Sequence, residues 1–269
     1  MIVVLAGTSE GRVLARTLAG RGRRVVACTA TAYGGELLAG SGCTVRSGPL
    51  GETSLSGLVS GARVLVDATH PFAREISVLA ARTAADHGIP YLRYSRPAFS
   101  LPDDPLVHPV PDFGAAALLA PRLGSVIFLA TGSKTLDLFL PPARAAGCRV
   151  VARVLPAEGV VARCLSLGLS PADIVAAQGP FGREVNVALL RHFGAGVMVT
   201  KEDGAPGGLG EKLAACLELG VPLVVVGRPD EAGGEDLAEI CDRAVRLDGE
   251  ISYDEREGDN HASAWSGRD

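Results

Sequence analysis

Met1-Ile-Val-Val-Leu-Ala-Gly-Thr-Ser-Glu-Gly-Arg12 opens the chain with an apolar run that breaks at Gly7 and passes through Thr8 and Ser9 into a helical pattern. Such a run reads as a buried parallel strand. The turn after it aims the unpaired N–H groups and positive dipole end of the next helix beyond the sheet edge. An anion is favoured there. A nucleotide diphosphate is the expected occupant of Gly7, Thr8, Ser9, Glu10 and Gly11, with Arg12 beside it. The spacing departs from a full G-x-G-x-x-G, so a bare strand-to-helix turn with Ser9 as its N-cap stays open.

Outward from this turn, strand-like runs at 2–6, 24–29, 64–67 and 91–94 alternate with helical patterns near 10–20, 53–61 and 72–87, with a weaker strand at 43–46. This is the rhythm of a parallel sheet with crossover helices, hence an α/β fold. Pro97, Pro102, Pro105, Pro109 and Pro111 then crowd a short polar stretch that cannot continue a helix and poorly suits a central strand. Alternation resumes with strands at 126–130, 149–154, 173–177, 197–200 and 222–227 and helices near 112–120, 157–167, 183–192 and 208–219. The expected organisation is a nucleotide-binding domain over 1–100, a Pro-rich linker over 101–111, a second α/β domain over 112–247 and a polar tail over 248–269. Gly88-Ile-Pro-Tyr-Leu-Arg-Tyr-Ser-Arg-Pro97 echoes Gly220-Val-Pro-Leu-Val-Val-Val-Gly-Arg-Pro229, which suggests duplicated halves. The other reading is that helix, Gly, apolar residue and Pro are a common entry into a parallel strand.

Composition narrows the function. At 269 residues the chain suits two domains, and a formal charge of -4 with only 4% aromatic residues excludes a nucleic-acid surface. The six cysteines, Cys28, Cys43, Cys148, Cys164, Cys216 and Cys241, are scattered without C-x-x-C pairs, as expected of buried thiols in a reducing cytoplasm. No apolar run reaches the roughly 18 residues of a membrane span, so a cytoplasmic protein without membrane partners is expected. There is no G-x-S-x-G elbow, no H-E-x-x-H, no Walker A lysine and no zinc-spaced Cys/His cluster.

Several strand ends carry polar groups. The second strand runs out at Thr29-Ala-Thr31, where an NAD-binding sheet usually offers a carboxylate to the ribose diol. Here there is none, and the hydroxyls of Thr29 and Thr31, with Arg12 near, would tolerate a 2′-phosphate; NADPH is preferred, with NADH possible. Both threonines could equally be ordinary strand-end residues. Val64-Leu-Val-Asp-Ala-Thr-His70 puts Asp67, Ala68, Thr69 and His70 beside the glycine turn, at the nicotinamide end of a cofactor pocket. His70 is a candidate proton donor because an unperturbed imidazole changes charge near neutrality, against a capping or solvent-facing imidazole; Asp67 could be an N-cap. In the second half Lys134, Arg153, Gln178 and Lys201 follow different strands, which converges polar groups, three of them cations, on one edge as a pocket for a polyanion, although a lone Lys or Arg there is an ordinary surface charge.

Gly7-Thr-Ser-Glu-Gly-Arg12, Thr29-Ala-Thr-x-Tyr-Gly-Gly35, Asp67-Ala-Thr-His-Pro-Phe-Ala73, Arg93 to Pro97, Thr131-Gly-Ser-Lys134, Arg153-Val-Leu-Pro156, Gln178-Gly-Pro-Phe181 and Thr200-Lys201 together resemble the precorrin-6A reductase and cobalt-precorrin-6A reductase family of cobalamin biosynthesis. The resemblance runs from residue 2 to about 230 and departs at Glu202-Asp203, where a smaller polar pair is expected, and in the tail. It implies two Rossmann-like domains with parallel sheets and a cleft between them. It also implies reduction of one carbon–carbon double bond of precorrin-6A, giving precorrin-6B, by a nicotinamide cofactor. The substrate is then an anionic tetrapyrrole, with Tyr33, Gly34, Arg93, Ser133, Lys134, Arg153, Gln178, Gly179, Lys201 and Gly204 on its side and Tyr33 or His70 as proton source. No metal is implied. An NADPH-sensing regulator and a nucleotide-sugar-dependent transferase remain as alternatives on fold alone.

Overall fold

The computed structural model describes residues 1–96, 99–204, 207–228 and 235–250. The chain divides into two compact units, Met1–Arg96 with Glu231–Asp269, and Pro97–Asp230. Each is an α/β unit built on a parallel sheet.

In the first unit β1 (Ile2–Leu5), β2 (Val25–Thr29), β3 (Thr44–Ser47), β4 (Val64–Asp67) and β5 (Tyr91–Arg93) form a sheet of order β3-β2-β1-β4-β5. Every residue of β1 and β4 is buried, as the Val- and Leu-rich runs of a doubly covered parallel strand require. Helices α1 (Ser9–Gly20), α2 (Ala32–Glu36), α3 (Glu52–Val59) and α4 (Arg74–Asp86) are the crossovers. One face of the sheet packs Val3, Leu5, Val26 and Leu65 against Leu55 and Val59 of α3 and Ala80 and Ala84 of α4. On the other face, Leu14, Ala15 and Leu18 of α1 join Ile2, Val4 and Ala27. A Cβ on Gly11 would lie 2.9 Å from the Cα of Ala6 and 3.0 Å from the carbonyl oxygen of Ala68, so α1 sits on the sheet at a distance only glycine allows.

The second face also carries a correction to the expected domain bounds. Residues up to 247 were assigned to the second domain, but α10 (Leu237–Glu250) buries Ile240, Cys241 and Ala244 in the first unit, among Val64, Val66, Leu92 and Tyr94. The cause is uncovered sheet. α1 lies over β1 and β2, so the apolar residues of β4 and β5 need another helix, and the stripe at 240, 241 and 244 supplies it. Glu235 pairs in parallel with Tyr94 beside β5, and the amino-terminal ammonium meets Asp248 at 2.7 Å. The remainder of the expected tail, 251–269, lies outside the described residues, as do Pro97 and Pro229 of the internal echo.

In the second unit β6 (Val107–Val110), β7 (Val126–Leu129), β8 (Arg149–Val154), β9 (Ile174–Ala176), β10 (Val197–Lys201) and β11 (Leu223–Val226) are ordered β6-β11-β10-β7-β8-β9. Helices α5 (Phe113–Leu123), α6 (Leu136–Ala145), α7 (Glu158–Ser166), α8 (Arg183–Phe193) and α9 (Leu209–Leu219) connect them. β6 falls inside the expected linker. It is an edge strand, and since the carbonyls of Leu106 and Val110 accept from β11 and from Gly227, Pro109 turns its missing donor away from the sheet. α6 lies outside the helical patterns read from the sequence, and Pro141 and Pro142 stand inside it. Leu136, Phe139, Leu140 and Ala143 are all buried on one stripe, and that burial outweighs a local cost of about 3 kcal/mol per proline.

Candidate functional site

The carboxyl edge of the first sheet begins at the glycine turn. Thr8, not Ser9, is the N-cap of α1: its hydroxyl accepts from Gly11 N at 3.0 Å and donates to the Ala68 carbonyl at 2.8 Å, which ties the turn to the end of β4. Ser9 is exposed and its hydroxyl donates to the Glu10 carboxylate at 2.7 Å. Among the described residues the backbone N–H groups of Gly7, Thr8 and Ser9 have no acceptor. A Cβ on Gly7 would meet nothing within 4 Å. The turn therefore presents three free donors and open space at the positive end of a twelve-residue helix. Burial pushes the Glu10 carboxyl up, but hydrogen bonds from Ser9 and its own backbone together with the Arg96 guanidinium carry it below its ordinary value. Glu10 and Arg96 meet at 2.7 Å, so Glu10 is an anchor for the end of this unit's first segment and is not free to bind a ligand. Arg12 is half-buried, and its guanidinium makes no hydrogen bond or ion pair among the described residues.

Thr29 is enclosed at the end of β2, whereas Thr31 stands exposed beyond it. Thr29 is 3% exposed, and its hydroxyl donates to the Thr31 carbonyl at 3.0 Å and shares a bond with the Ser47 hydroxyl at 3.1 Å. Thr31 caps α2, its hydroxyl accepting from Gly34 N at 3.1 Å. The Thr29 hydroxyl is thus consumed by the strand end, whereas Thr31 is exposed and its hydroxyl only accepts within the cap. Gly34 packs on Thr29, where an added Cβ would lie 3.1 Å from the threonine's Cβ. Tyr33, in the same short helix, is 52% exposed.

Asp67 is also reassigned. It is 0% exposed and accepts from Thr69 N at 2.9 Å and from the Tyr91 hydroxyl at 2.8 Å, and it pairs with Arg93 at 2.8 Å. A carboxylate so enclosed touches no ligand, and α4 is preceded by Ala73, so Asp67 is not its N-cap. Arg93 is 12% exposed and also donates to the Thr69 hydroxyl at 2.9 Å. Its charge is matched inside the protein rather than offered to a substrate. The buried pair instead fixes the turn that carries Ala68, Thr69 and His70. The Nδ1 of His70 accepts from Phe72 N at 3.2 Å, so in the neutral ring the proton sits on Nε2.

In the second unit, the residues named from sequence do share one edge, at the carboxyl ends of the neighbouring strands β10, β7, β8 and β9. Lys134 lies in a short 3-10 turn after β7, beside half-buried Ser133; it is exposed and makes no hydrogen bond or ion pair among the described residues. Gln178 and Gly179 are exposed beyond β9, and Lys201 ends β10 half-buried. Arg153 donates to the Asn186 amide oxygen at 2.8 Å and lies 5.1 Å from the Phe181 ring centroid and 6.0 Å from that of Phe128. Burial lowers its pKa to about 10 against the opposing pull of Asp203.

Sequence reasoning missed the floor of this edge. Lys212 is 5% exposed, donates to the Gly207 carbonyl at 3.0 Å and lies 3.6 Å from Asp203. Burial brings it down to about 8, with Asp203 opposing and Arg153 and Lys201 assisting. A signal was available, since Lys212 stands in the apolar stripe of Leu209, Leu213 and Cys216, where a solvated lysine has no place. Glu202, where the chain departs from the family pattern, is a structural clasp: it pairs with Arg228 and accepts from Phe99 N at 3.1 Å and from Gly204 N at 3.2 Å. Gly204 is buried with φ +77°, a conformation suited to glycine.

Comparisons with known proteins identify the family. A family model described as precorrin-6x reductase CbiJ/CobK matches residues 1–245. A cobalt-precorrin-6A reductase of Priestia megaterium is 38% identical over 235 residues, covering 85% of this chain and 91% of that protein. A precorrin-6A reductase of Rhodobacter capsulatus is 33% identical over 235 residues, covering 85% and 88% respectively. The solved structure of CobK precorrin-6A reductase superposes with a TM-score of 0.73 at 28% identity, covering 91% of this chain and 96% of that one.

Proposed function

The chain belongs to the precorrin-6x reductase family CbiJ/CobK, an oxidoreductase family of cobalamin biosynthesis, and we propose that it reduces one carbon–carbon double bond of the precorrin-6A macrocycle, or of its cobalt form, with NADPH. The observation that carries the cofactor reading is the glycine turn. Three unpaired N–H groups and the space left by Gly7 fit a pyrophosphate at the head of α1. When bound, the nicotinamide supplies a hydride to one carbon of the double bond, and a proton completes the other.

The chain's own residues then bind, orient and hold that proton. Ala68, Thr69 and His70 border the turn through the Thr8 to Ala68 bond, and the Asp67–Arg93 pair keeps them in place. His70 Nε2 is the proton holder this arrangement favours, because Nδ1 is already occupied by Phe72 N–H. The Tyr33 phenol is the second candidate, exposed after β2. On the second unit, Lys134, Lys201, Gln178 and the Ser133 to Lys134 turn offer partners for the carboxylates of an anionic tetrapyrrole, while Arg153, near the Phe181 and Phe128 rings, suits apolar cover of a conjugated ring.

Mixing the protein with NADPH and precorrin-6A, and following the cofactor's absorbance, tests the reading. Catalytic consumption of cofactor over many turnovers is expected. Binding of NADPH without consumption would favour a sensor, and consumption without a change in the tetrapyrrole spectrum would end the substrate assignment.

A further inference from the structure

Thr29 is bonded internally and the exposed Thr31 hydroxyl, which caps α2, is uncharged, so the end of β2 supplies no cation to set against a 2′-phosphate. We propose that Arg46, on the neighbouring strand, selects NADPH over NADH by receiving the 2′-phosphate in the hollow between the end of β3 and α3. The proposal rests on the reading that the glycine turn seats a dinucleotide. A dinucleotide whose pyrophosphate lies at the β1 turn brings its adenosine ribose to the end of the adjacent strand, here β2. β3 is paired to β2 in parallel register, with Arg46 opposite Cys28 and Ser47 opposite Thr29. The Thr29 and Ser47 hydroxyls are bonded at 3.1 Å, and Gly48 N donates to the Thr29 carbonyl at 2.9 Å, so the two strand ends form one surface.

Arg46 is exposed on that surface, and its guanidinium makes no hydrogen bond or ion pair among the described residues. Arg82, on the same side of the sheet, spends its charge on Glu52 at 2.6 Å. A hollow of about 370 Å³ opens beside Arg46, lined by Ser47, Gly48, Pro49, Leu50, Ser54 and Leu58 among others, with no carboxylate in its wall. Burial drives the thiol of Cys28 up to about 11 while the Arg46 charge pulls it the other way, so the guanidinium's field reaches the strand end. An unpaired arginine fork in an acid-free hollow matches a phosphate monoester, and a plain ribose diol gains nothing from it.

Arg46→Ala and Arg46→Lys, measured with the wild type by titration with NADPH, NADH, 2′-AMP and 5′-AMP, decide the matter. The dissociation constant for NADPH in Arg46→Ala should rise about 10- to 100-fold, the span of one charge-assisted hydrogen-bonded contact, with 2′-AMP weakened in parallel. NADH and 5′-AMP should change by less than about twofold, and Arg46→Lys should recover part of the preference. Equal weakening of NADPH and NADH, or no change in either, would overturn the assignment to Arg46 and leave the dinucleotide reading standing. A wild-type protein that binds neither dinucleotide would remove both.

Discussion

Replacing Lys212 by methionine probes the floor of the second unit's strand edge. The side chain is 5% exposed and its pKa is lowered from 10.5 to about 8, chiefly by burial. The native state therefore disfavours the charged form. Below pH 8 both native and unfolded chains hold the proton, and the native state bears the full cost of the buried ammonium. Between pH 8 and 10.5 the native lysine has released its proton while the unfolded one retains it, so stability rises with pH and the cost is gone above 10.5. Linkage with these two values gives a gain of about 2 kcal/mol between pH 7 and 9.5. Methionine has a similar length and no charge, so the variant should lack this slope. Denaturant unfolding of both proteins across that range reads it directly as the wild-type minus variant difference. A difference that stays flat would mean that Lys212 titrates as a solvated lysine and that its burial against Asp203 has been misjudged.

Other substitutions test the first unit. Gly11→Ala should lower stability by about 1–3 kcal/mol in chemical denaturation despite the better helix former, because the new methyl meets backbone at Ala6 and Ala68 that cannot rotate aside. Thr8→Val removes the cap on Gly11 N and the donor to Ala68, and should cost about 1–2 kcal/mol with a lower melting temperature. Asp67→Asn leaves the guanidinium of Arg93 without its buried counter-charge; a loss of about 3 kcal/mol is expected, and unchanged unfolding would show that Arg93 finds its balance elsewhere.

Much of the fold was legible because it is written in local periodicity. The Val- and Leu-rich runs that became β1, β4 and β11 are buried from end to end, and a continuous apolar run has few other uses between glycine turns. What escaped was decided by tertiary burial. α6 holds two prolines against local preference because four apolar residues share a buried stripe, and α10 joins the first unit because β4 and β5 needed cover that no chain-order rule supplies. In the site, the glycine turn was legible from one segment of twelve residues, whereas the engagement of Thr29, Asp67 and Arg93 depends on partners 18 to 26 positions away in sequence. Residue type signals that a side chain can bond; only the neighbouring strand decides whether that capacity is already spent.

Introducing an acidic side chain at the turn, as Gly7→Asp, tests the cofactor seat most directly. Among the described residues, no atom beyond its chain neighbours lies within 4 Å of the position its Cβ would take, and the backbone there is outside the left-handed region, so the melting temperature should stay at the wild-type value. A carboxylate among the free N–H groups of Gly7, Thr8 and Ser9 should nonetheless repel a pyrophosphate and occupy its donors, which abolishes NADPH binding in a fluorescence titration. Wild-type affinity in a folded Gly7→Asp protein would contradict the account, since the dinucleotide would then have to sit elsewhere.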